Sequence, residues 1–176
     1  NPKGSPGCEV VIPLRRFGAT TPLTGNYHVG QRLWMYGIEL NHGNHTLAAP
    51  PTGNVASGTR FMYDTGSHVS LMNQGVAASL GLYDPAAPAN INPDGYLAID
   101  GVANVPGWKL NSVVMIGQGG AYTVKNAWFF ISPDVWSGSA VDPNAVAFNG
   151  SPIDAVIGSN LFLQTALFYD GPGDSL

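Results

Sequence analysis

Apolar residues in this chain recur in short runs and alternations that are separated by turn residues. A repeat of two residues is typical of β-strands whose side chains point alternately to two faces. The pattern predicts strands at residues 10–14, 27–40 (one or two strands), 59–63, 96–99, 102–108, 113–116, 127–131, 155–158 and 166–169. A polar, Pro-rich loop is expected at residues 41–58. The chain should therefore be mostly β.

One segment has the character of a short helix. Residues 74–80 are rich in small and apolar side chains, and Gly81 stands where a C-cap glycine is usual. Together with a further short turn after residue 158, this gives one or two short helices. The strands should then form a closed or strongly curved barrel.

The composition supports the β interpretation. Charged residues make up 10% of the chain, against about 25% in an average soluble protein. The chain has 23 Gly and 14 Pro, which favours many turns between short strands. Acidic residues are mostly Asp, whereas helix surfaces prefer Glu, so a helical protein is disfavoured.

Charge and hydropathy narrow the classes of function. The net charge is −4 and no basic patch is present, which argues against a nucleic-acid partner. No apolar run reaches the length of roughly 18–20 residues that a membrane span needs. Cys8 is the single cysteine, so no disulfide can form within the chain. Sparse charge with abundant Asn, Gly, Ser and Thr suits a secreted or extracytoplasmic protein.

The most informative motif follows the strand at residues 59–63. Asp64 comes directly after an apolar run and is followed by Thr65, Gly66 and Ser67. This order predicts a buried strand that ends in a tight turn and holds one carboxylate at a fixed point. Such a carboxylate suits the activation of water when a second carboxylate lies beside it. Two carboxylates a few Å apart share one proton, so that one acts as base and the other as acid.

A second element lies about ninety residues further along the chain. Val156, Ile157 and Gly158 form an apolar-apolar-Gly segment. Together, Asp-Thr-Gly-Ser and this segment resemble the active-site motifs of the aspartic proteases. The group that the chain is most similar to is the single-lobe, retropepsin-like proteases, and one lobe of a pepsin-like protease is the other form considered. The resemblance implies a mostly β, closed, barrel-like lobe and an aspartic endopeptidase activity.

The resemblance also implies a role for each matching residue. Asp64 would be the catalytic carboxylate, and Thr65 would tie two catalytic loops together across a two-fold axis. Gly66 would let a backbone N–H approach the carboxylate, and Ser67 would donate a hydrogen bond to the outer carboxylate oxygen. Val156, Ile157 and Gly158 would cross beneath the catalytic loop, with Gly158 permitting close backbone approach.

The partners and cofactors follow from the same resemblance. The second catalytic Asp would come from a homodimer partner or from another lobe, because the chain contains a single Asp-Thr-Gly. The substrate would be an extended peptide or protein segment. No metal ion and no organic cofactor would be needed.

A flap, the hairpin that covers substrate in these proteases, should lie between the two motifs. Our preferred candidate is the turn of Ile99, Asp100, Gly101 and Val102, since Asp-Gly between apolar positions favours a hairpin. The glycine-rich segment at residues 116–120 is the competing candidate. The first is preferred because strands still follow it before Val156.

Domain organisation and alternative interpretations stay open at this point. Residues 58–176 would form the protease-like lobe, and residues 1–57 an N-terminal extension with extra strands, within one compact domain. Asp-Thr-Gly-Ser could be an ordinary turn, or the chain could be a catalytically inactive peptide-binding domain of the same fold. His42 and His45 have a spacing that could hold a metal, but a zinc site needs more ligands.

Overall fold

The computed structural model describes residues 10–17, 32–49, 59–99, 102–131 and 153–163. These residues form ten strands, one α-helix and one short 3-10 helix. The strands are β1 (Leu14–Phe17), β2 (Arg32–Met35), β3 (Ile38–His42), β4 (His45–Ala48), β5 (Phe61–Tyr63), β6 (Ser70–Met72), β7 (Gly95–Ile99), β8 (Val102–Gly117), β9 (Gly120–Ile131) and β10 (Ala155–Ile157). The helix α1 is Gln74–Ser79, and the 3-10 helix is Ser159–Phe162.

All ten described strands belong to one sheet. Its order is β1-β2-β5-β10-β6-β9-β8-β3-β4, and β7 pairs with β8 outside this path. The segment just before β1, at one end of the sheet, reaches the turn between β8 and β9. The backbone of Val11 exchanges two hydrogen bonds of 2.9 Å with Gln118, which lies between β8 and β9. The sheet therefore curls into a half-barrel, and the predicted mostly β, barrel-like fold is confirmed.

The predicted short helix is present, and local hydrogen bonds explain both of its ends. The side chain of Asn73 caps its N-terminus by accepting a hydrogen bond from the amide of Val76. At the other end, Gly81 adopts a positive φ of 70°. The amides of Gly81 and Leu82 donate to the carbonyls of Ala78 and Ala77, which is the Schellman arrangement.

Both faces of the central strands are buried. Every residue of β5, β6 and β10 is buried, and all of them except Ser70 have apolar or aromatic side chains. The main core lies on one face and includes Met35, Phe61, Met72, Leu110, Phe129 and Ile157. A second cluster lies on the other face and includes Trp34, Met62, Leu71, Ile99, Val105, Phe130 and Val156. The strands that carry the Asp64 motif are thus held from two sides.

Three sequence-based predictions of local structure were wrong. The strand predicted at residues 10–14 begins only at Leu14 and runs to Phe17 as β1. Residues 45–48, expected in a loop, form β4, because Gly43 takes a φ of 55° and lets β3 and β4 make a tight hairpin. Residues 102–108 and 113–116, expected as separate strands, belong to the continuous strand β8. Its inward-facing positions shift from Trp108 and Leu110 to Val113 and Met115, so the alternation breaks although the strand continues. The strand predicted at residues 166–169 lies outside the described residues.

Candidate active site

Asp64 stands at the end of β5, in a turn that backbone hydrogen bonds define. Its amide donates to the carbonyl of Ile157 at 3.1 Å, so the first residue of the loop is tied to β10. The amide of Ser67 donates back to the carbonyl of Asp64 at 3.3 Å and closes the turn. The buried strand before it and this turn place the half-buried carboxylate at a fixed point.

A backbone amide holds the carboxylate of Asp64. The N–H of Gly66 donates to Oδ1 of Asp64 at 2.8 Å. A Cβ atom at Gly66 would lie 3.2 Å from the same oxygen, closer than ordinary contact allows without a shift of the carboxylate. Glycine therefore suits this position because it lets the amide and carboxylate approach without crowding.

The negative charge of Asp64 also acts on the residue before it. The pKa of Tyr63 is raised above its ordinary value of 10.0, first because its hydroxyl is buried and second because Asp64 is near. The ring of Tyr63 packs edge-on against Phe162 of the 3-10 helix at 5.8 Å between centroids. The ring of Tyr63 thus belongs to the main core beside the 3-10 helix.

The two hydroxyl residues of the motif are placed differently from each other. Ser67 donates its hydroxyl hydrogen to the carbonyl of Val69 at 2.6 Å, not to the carboxylate of Asp64 as the resemblance implied. The difference arises because the chain turns after His68 and brings a nearer acceptor to Ser67. Thr65 is exposed at the tip of the loop, where a neighbouring chain could reach it.

The strand β10 passes between the two strands that flank the Asp64 loop. It runs parallel to β5, with Val156 opposite Met62 and Ile157 opposite Tyr63. It runs antiparallel to β6, with Val156 also opposite Leu71. The loop that joins β5 to β6 therefore connects the two neighbours of β10 in the sheet.

Gly158 makes the closest backbone contact with the loop. A Cβ atom built on it would lie 2.2 Å from the carbonyl oxygen of Val69 and 3.0 Å from that of Ser67. Its amide donates to the hydroxyl of Ser70 at 3.0 Å. The amide of Ser159 donates to the carbonyl of Ser67 at 2.8 Å. The segment after β10 thus fixes the second half of the loop.

Asp154 is a buried carboxylate to which the sequence analysis assigned no role. It is 1% exposed, and its side chain accepts hydrogen bonds from the amide of Arg60 at 2.8 Å and from Nδ2 of Asn73 at 3.2 Å. Arg60 precedes β5 and Asn73 follows β6, so Asp154 ties together the outer ends of both strands. An Asp directly before an apolar strand was the available signal for such a buried structural acid.

A cleft of about 410 Å³, called here the Asp64 cleft, opens over the loop. One side consists of loop and β6 residues, and the other consists of the end of β7. Its lining is Asp64, Gly66, Ser67, His68, Val69, Leu71, Leu97, Ala98 and Ile99. Asp64 is the one carboxylate in this lining among the described residues.

The structure separates the two flap candidates. Ile99 lies at the end of β7 and lines the Asp64 cleft, and Val102 begins β8. Asp100 and Gly101 lie outside the described residues. A bulge between β7 and β8, with Asn104 at a φ of 59°, bends this hairpin near its tip.

The competing glycine-rich turn lies far from Asp64 along β9. β9 contacts β6 only near its C-terminal end, where Phe129 is opposite Ser70. Gly120 is nine residues earlier on the same strand, about 30 Å away at the usual rise of a strand. Instead, this turn pairs with the backbone of Val11. It is therefore part of the barrel seam.

Other kinds of site find little support in the described part of the chain. His42 and His45 lie opposite each other on the β3–β4 hairpin. Within the described ranges, no three His, Cys, Asp or Glu side chains group closely enough to hold a metal ion. Across the same ranges, every helix is too short or too polar to cross a bilayer.

Comparisons with known proteins give one similarity. No family model matches the chain, and no curated protein matches it. The chain is similar to a solved structure described as the crystal structure of a retropepsin-like aspartic protease from Rickettsia conorii. The identity is 15%, the match covers 95% of this chain and 92% of that chain, and the TM-score is 0.44. A similarity at this level transfers no residue role to this chain.

Proposed function

We propose that this chain is a lobe of an aspartic endopeptidase, with Asp64 as one of two catalytic carboxylates. The observation that carries the proposal is the placement of Asp64. Its carboxylate accepts the Gly66 amide at 2.8 Å and lines a cleft bounded on the other side by the end of a hairpin. A fixed carboxylate between a rigid loop and a hairpin has the geometry for acting on a bound peptide.

The chemistry requires a second carboxylate beside the first. Two adjacent carboxylates share one proton because both cannot ionise at short distance. The ionised member takes a proton from water as the water attacks the peptide carbonyl, and the protonated member donates to the carbonyl oxygen. Atoms of Asp64 would take one of these roles, with the Gly66 amide fixing the orientation of the carboxylate.

We infer that the second carboxylate comes from a second copy of this chain or from another lobe. Within the described residues, Asp64 is alone in its cleft lining. Thr65 and Gly66 are exposed beside it, so a second loop of the same kind could approach across a two-fold axis. The exposed Thr65 would then contact the partner loop.

The substrate would be an extended peptide. In the described part of the chain, β7 pairs with β8 along one edge, and its other edge has no strand partner. Tyr96 and Leu97 on β7 are exposed beside the cleft. An open strand edge can bind an extended peptide by backbone hydrogen bonds, while side chains enter neighbouring recesses.

The extracytoplasmic location expected from the composition stays a prediction.

The alternative is a peptide-binding domain of the same fold that does not cleave its ligand. The single carboxylate of the described cleft favours this alternative if no partner supplies the second. Mass in solution and cleavage therefore have to be measured on the same preparation, because a monomer that binds peptide without cleavage would be this domain.

The test is cleavage of an unfolded protein from about pH 3 to 8 by the wild type and by Asp64→Asn. The exchange keeps an oxygen for the Gly66 amide, so the fold should persist while the rate falls by at least about 100-fold. Asp84→Asn is the matched control, because Asp84 is an exposed carboxylate whose oxygen accepts the Ala86 amide. Full activity in Asp64→Asn would refute the proposal.

A further inference from the structure

A second cleft, called here the outer cleft, adjoins the Asp64 cleft. Its volume is about 690 Å³. It follows residues 122–128 of β9 and is bounded by Asn160, Leu161 and Leu163 at the 3-10 helix and by Leu97 on β7. Nothing in the catalytic proposal above uses this cleft.

The outer cleft lies along the edge of β9 that faces away from β8, where Nδ2 of Asn160 donates to the carbonyl of Trp128 at 3.0 Å. The partner strand β6 spans three residues and pairs only with Phe129–Ile131. Over the rest of β9, the described residues offer strand pairing from β8 alone. Between Thr123 and Ala127, a groove beside a strand edge is suited to an extended peptide that runs along the sheet.

The two clefts are continuous. Val69 and Leu97 line both of them. β6 and β9 are parallel with Ser70 opposite Phe129, so Val69 lies beside Trp128. A peptide that leaves the Asp64 cleft past Val69 therefore meets the beginning of the outer cleft at Trp128.

The surface of the outer cleft combines apolar contact with positive charge. Leu163 is 81% exposed and Leu97 is 38% exposed. Lys125 lines the cleft, and Nζ of Lys109 lies 5.1 Å from the centre of the Trp128 ring. Among the described residues that line the outer cleft there is no carboxylate, although the whole chain carries a net charge of −4. Asp94 lies near Lys109, where its carboxylate accepts the Lys109 amide.

We propose that the outer cleft binds the part of the substrate peptide beyond the scissile bond and selects an acidic side chain there, beside Lys125. This inference rests on the proposed peptidase function. Lys125 is three residues from Trp128 along β9, about 10 Å at the rise of a strand. The acidic side chain would thus stand about three residues beyond the substrate residue that contacts Val69.

The test uses a set of peptides that share one cleaved core sequence, taken from the digest of an unfolded protein. Each peptide carries a single Glu at one position outside the core sequence, on one or the other side of the scissile bond. A matched peptide carries Gln at the same position. At one or two adjacent positions, Glu should raise kcat/KM over Gln by about two- to five-fold, mainly through KM, the range of an exposed ion pair.

Variants of Lys125 assign the preference to the outer cleft. Lys125→Gln should remove the Glu preference, so that Glu and Gln peptides have equal kcat/KM, whereas Lys125→Arg should retain the preference. Binding of the labelled Glu peptide to Asp64→Asn, followed by fluorescence anisotropy, should weaken on adding salt and on introducing Lys125→Gln. This binding measurement does not require turnover.

The outcomes separate the two proposals. Cleavage that depends on Asp64 with no Glu preference at any position would overturn the outer-cleft proposal alone. Loss of dimer mass in Lys125→Gln without a change in Glu preference would overturn it in favour of contact between copies. If Lys125→Gln changes only the stability of the protein, the outer cleft is occupied by a segment of this chain and the proposal is overturned. If no cleavage depends on Asp64, the peptidase function is refuted instead. If the Asp64→Asn protein binds Glu and Gln peptides equally, the outer-cleft proposal is also overturned.

Discussion

Replacing Gly158 by Ala tests whether the segment after β10 fixes the Asp64 loop. The added Cβ would stand 2.2 Å from the carbonyl oxygen of Val69 and 2.5 Å from its carbon. Ordinary contact begins at 3.4 Å, so the two backbones must separate by about 1.2 Å at this point. The neighbouring atoms are backbone, and no flexible side-chain end can move aside in their place.

The cost has two parts. Forcing a methyl group into a packed site typically costs about 1–3 kcal/mol. The separation also stretches the bonds from the Gly158 amide to Ser70 and from the Ser159 amide to Ser67, which adds about 1 kcal/mol for each bond that is lost. With one of these two bonds lost, we expect the free energy of unfolding to fall by about 2–4 kcal/mol. A shift of about 1 Å in a catalytic group can cost about 100-fold in rate, so activity should fall in the fraction that remains folded.

The assay is urea unfolding followed by circular dichroism, combined with the cleavage rate measured well below the unfolding transition. Gly75→Ala is the control, because Gly75 is an exposed residue inside α1. There the same change should stabilise the protein by about 0.4–1 kcal/mol. If Gly158→Ala leaves the midpoint and the cleavage rate unchanged, the loop does not depend on this backbone contact.

Two further predictions concern the groups around the loop. Asp154→Ala should lower the free energy of unfolding by about 2–4 kcal/mol, because the Arg60 amide and the Asn73 side chain lose their acceptor. Asp154→Asn should lower it by less. If urea unfolding finds no loss of stability in either variant, the hydrogen bonds of Asp154 do not hold the two strands together. Because the folded-state pKa of Tyr63 is raised, its contribution to stability is present below pH 10.0 and is lost as pH rises through the folded value. Asp64→Asn should lower the pKa of Tyr63, while burial keeps that pKa above 10.0. An absorbance titration with Tyr63→Phe as the control can measure the change. An unchanged pKa would show that the Asp64 carboxylate does not act on the Tyr63 hydroxyl.

The sequence predicted the local backbone around Asp64, which depends on order along the chain, while the catalytic roles of these residues stay predictions. An unbroken apolar run before Asp64 requires a strand buried on both faces, and β5 is such a strand. Gly66 and Gly158 were predicted to permit close backbone approach, and both stand where a Cβ would crowd the loop. These features can be predicted from the sequence because glycine and apolar runs relate directly to the backbone conformation and its burial.

The hydrogen-bond partners of the loop were less predictable. Ser67 donates to Val69 because of a turn that only the folded loop defines. Asp154 reaches Arg60 and Asn73 across more than 80 residues of sequence. A side-chain hydrogen bond needs atoms placed within about 3 Å, and no sequence pattern fixes positions that closely across a sheet.

Under the proposed function, the arrangement of the loop would let one chain hold a catalytic carboxylate that a second chain pairs. Its inner half is anchored by β10, through the Asp64 amide and the carbonyl of Ile157, and its outer residues Thr65 and Gly66 remain exposed. The carboxylate is therefore fixed before any partner arrives, so little further ordering is needed on assembly. Because both loops would be prearranged in this way, a symmetric dimer would bring two identical carboxylates together by a rigid-body approach. Activity should then depend on protein concentration, whereas the fold of each chain should not.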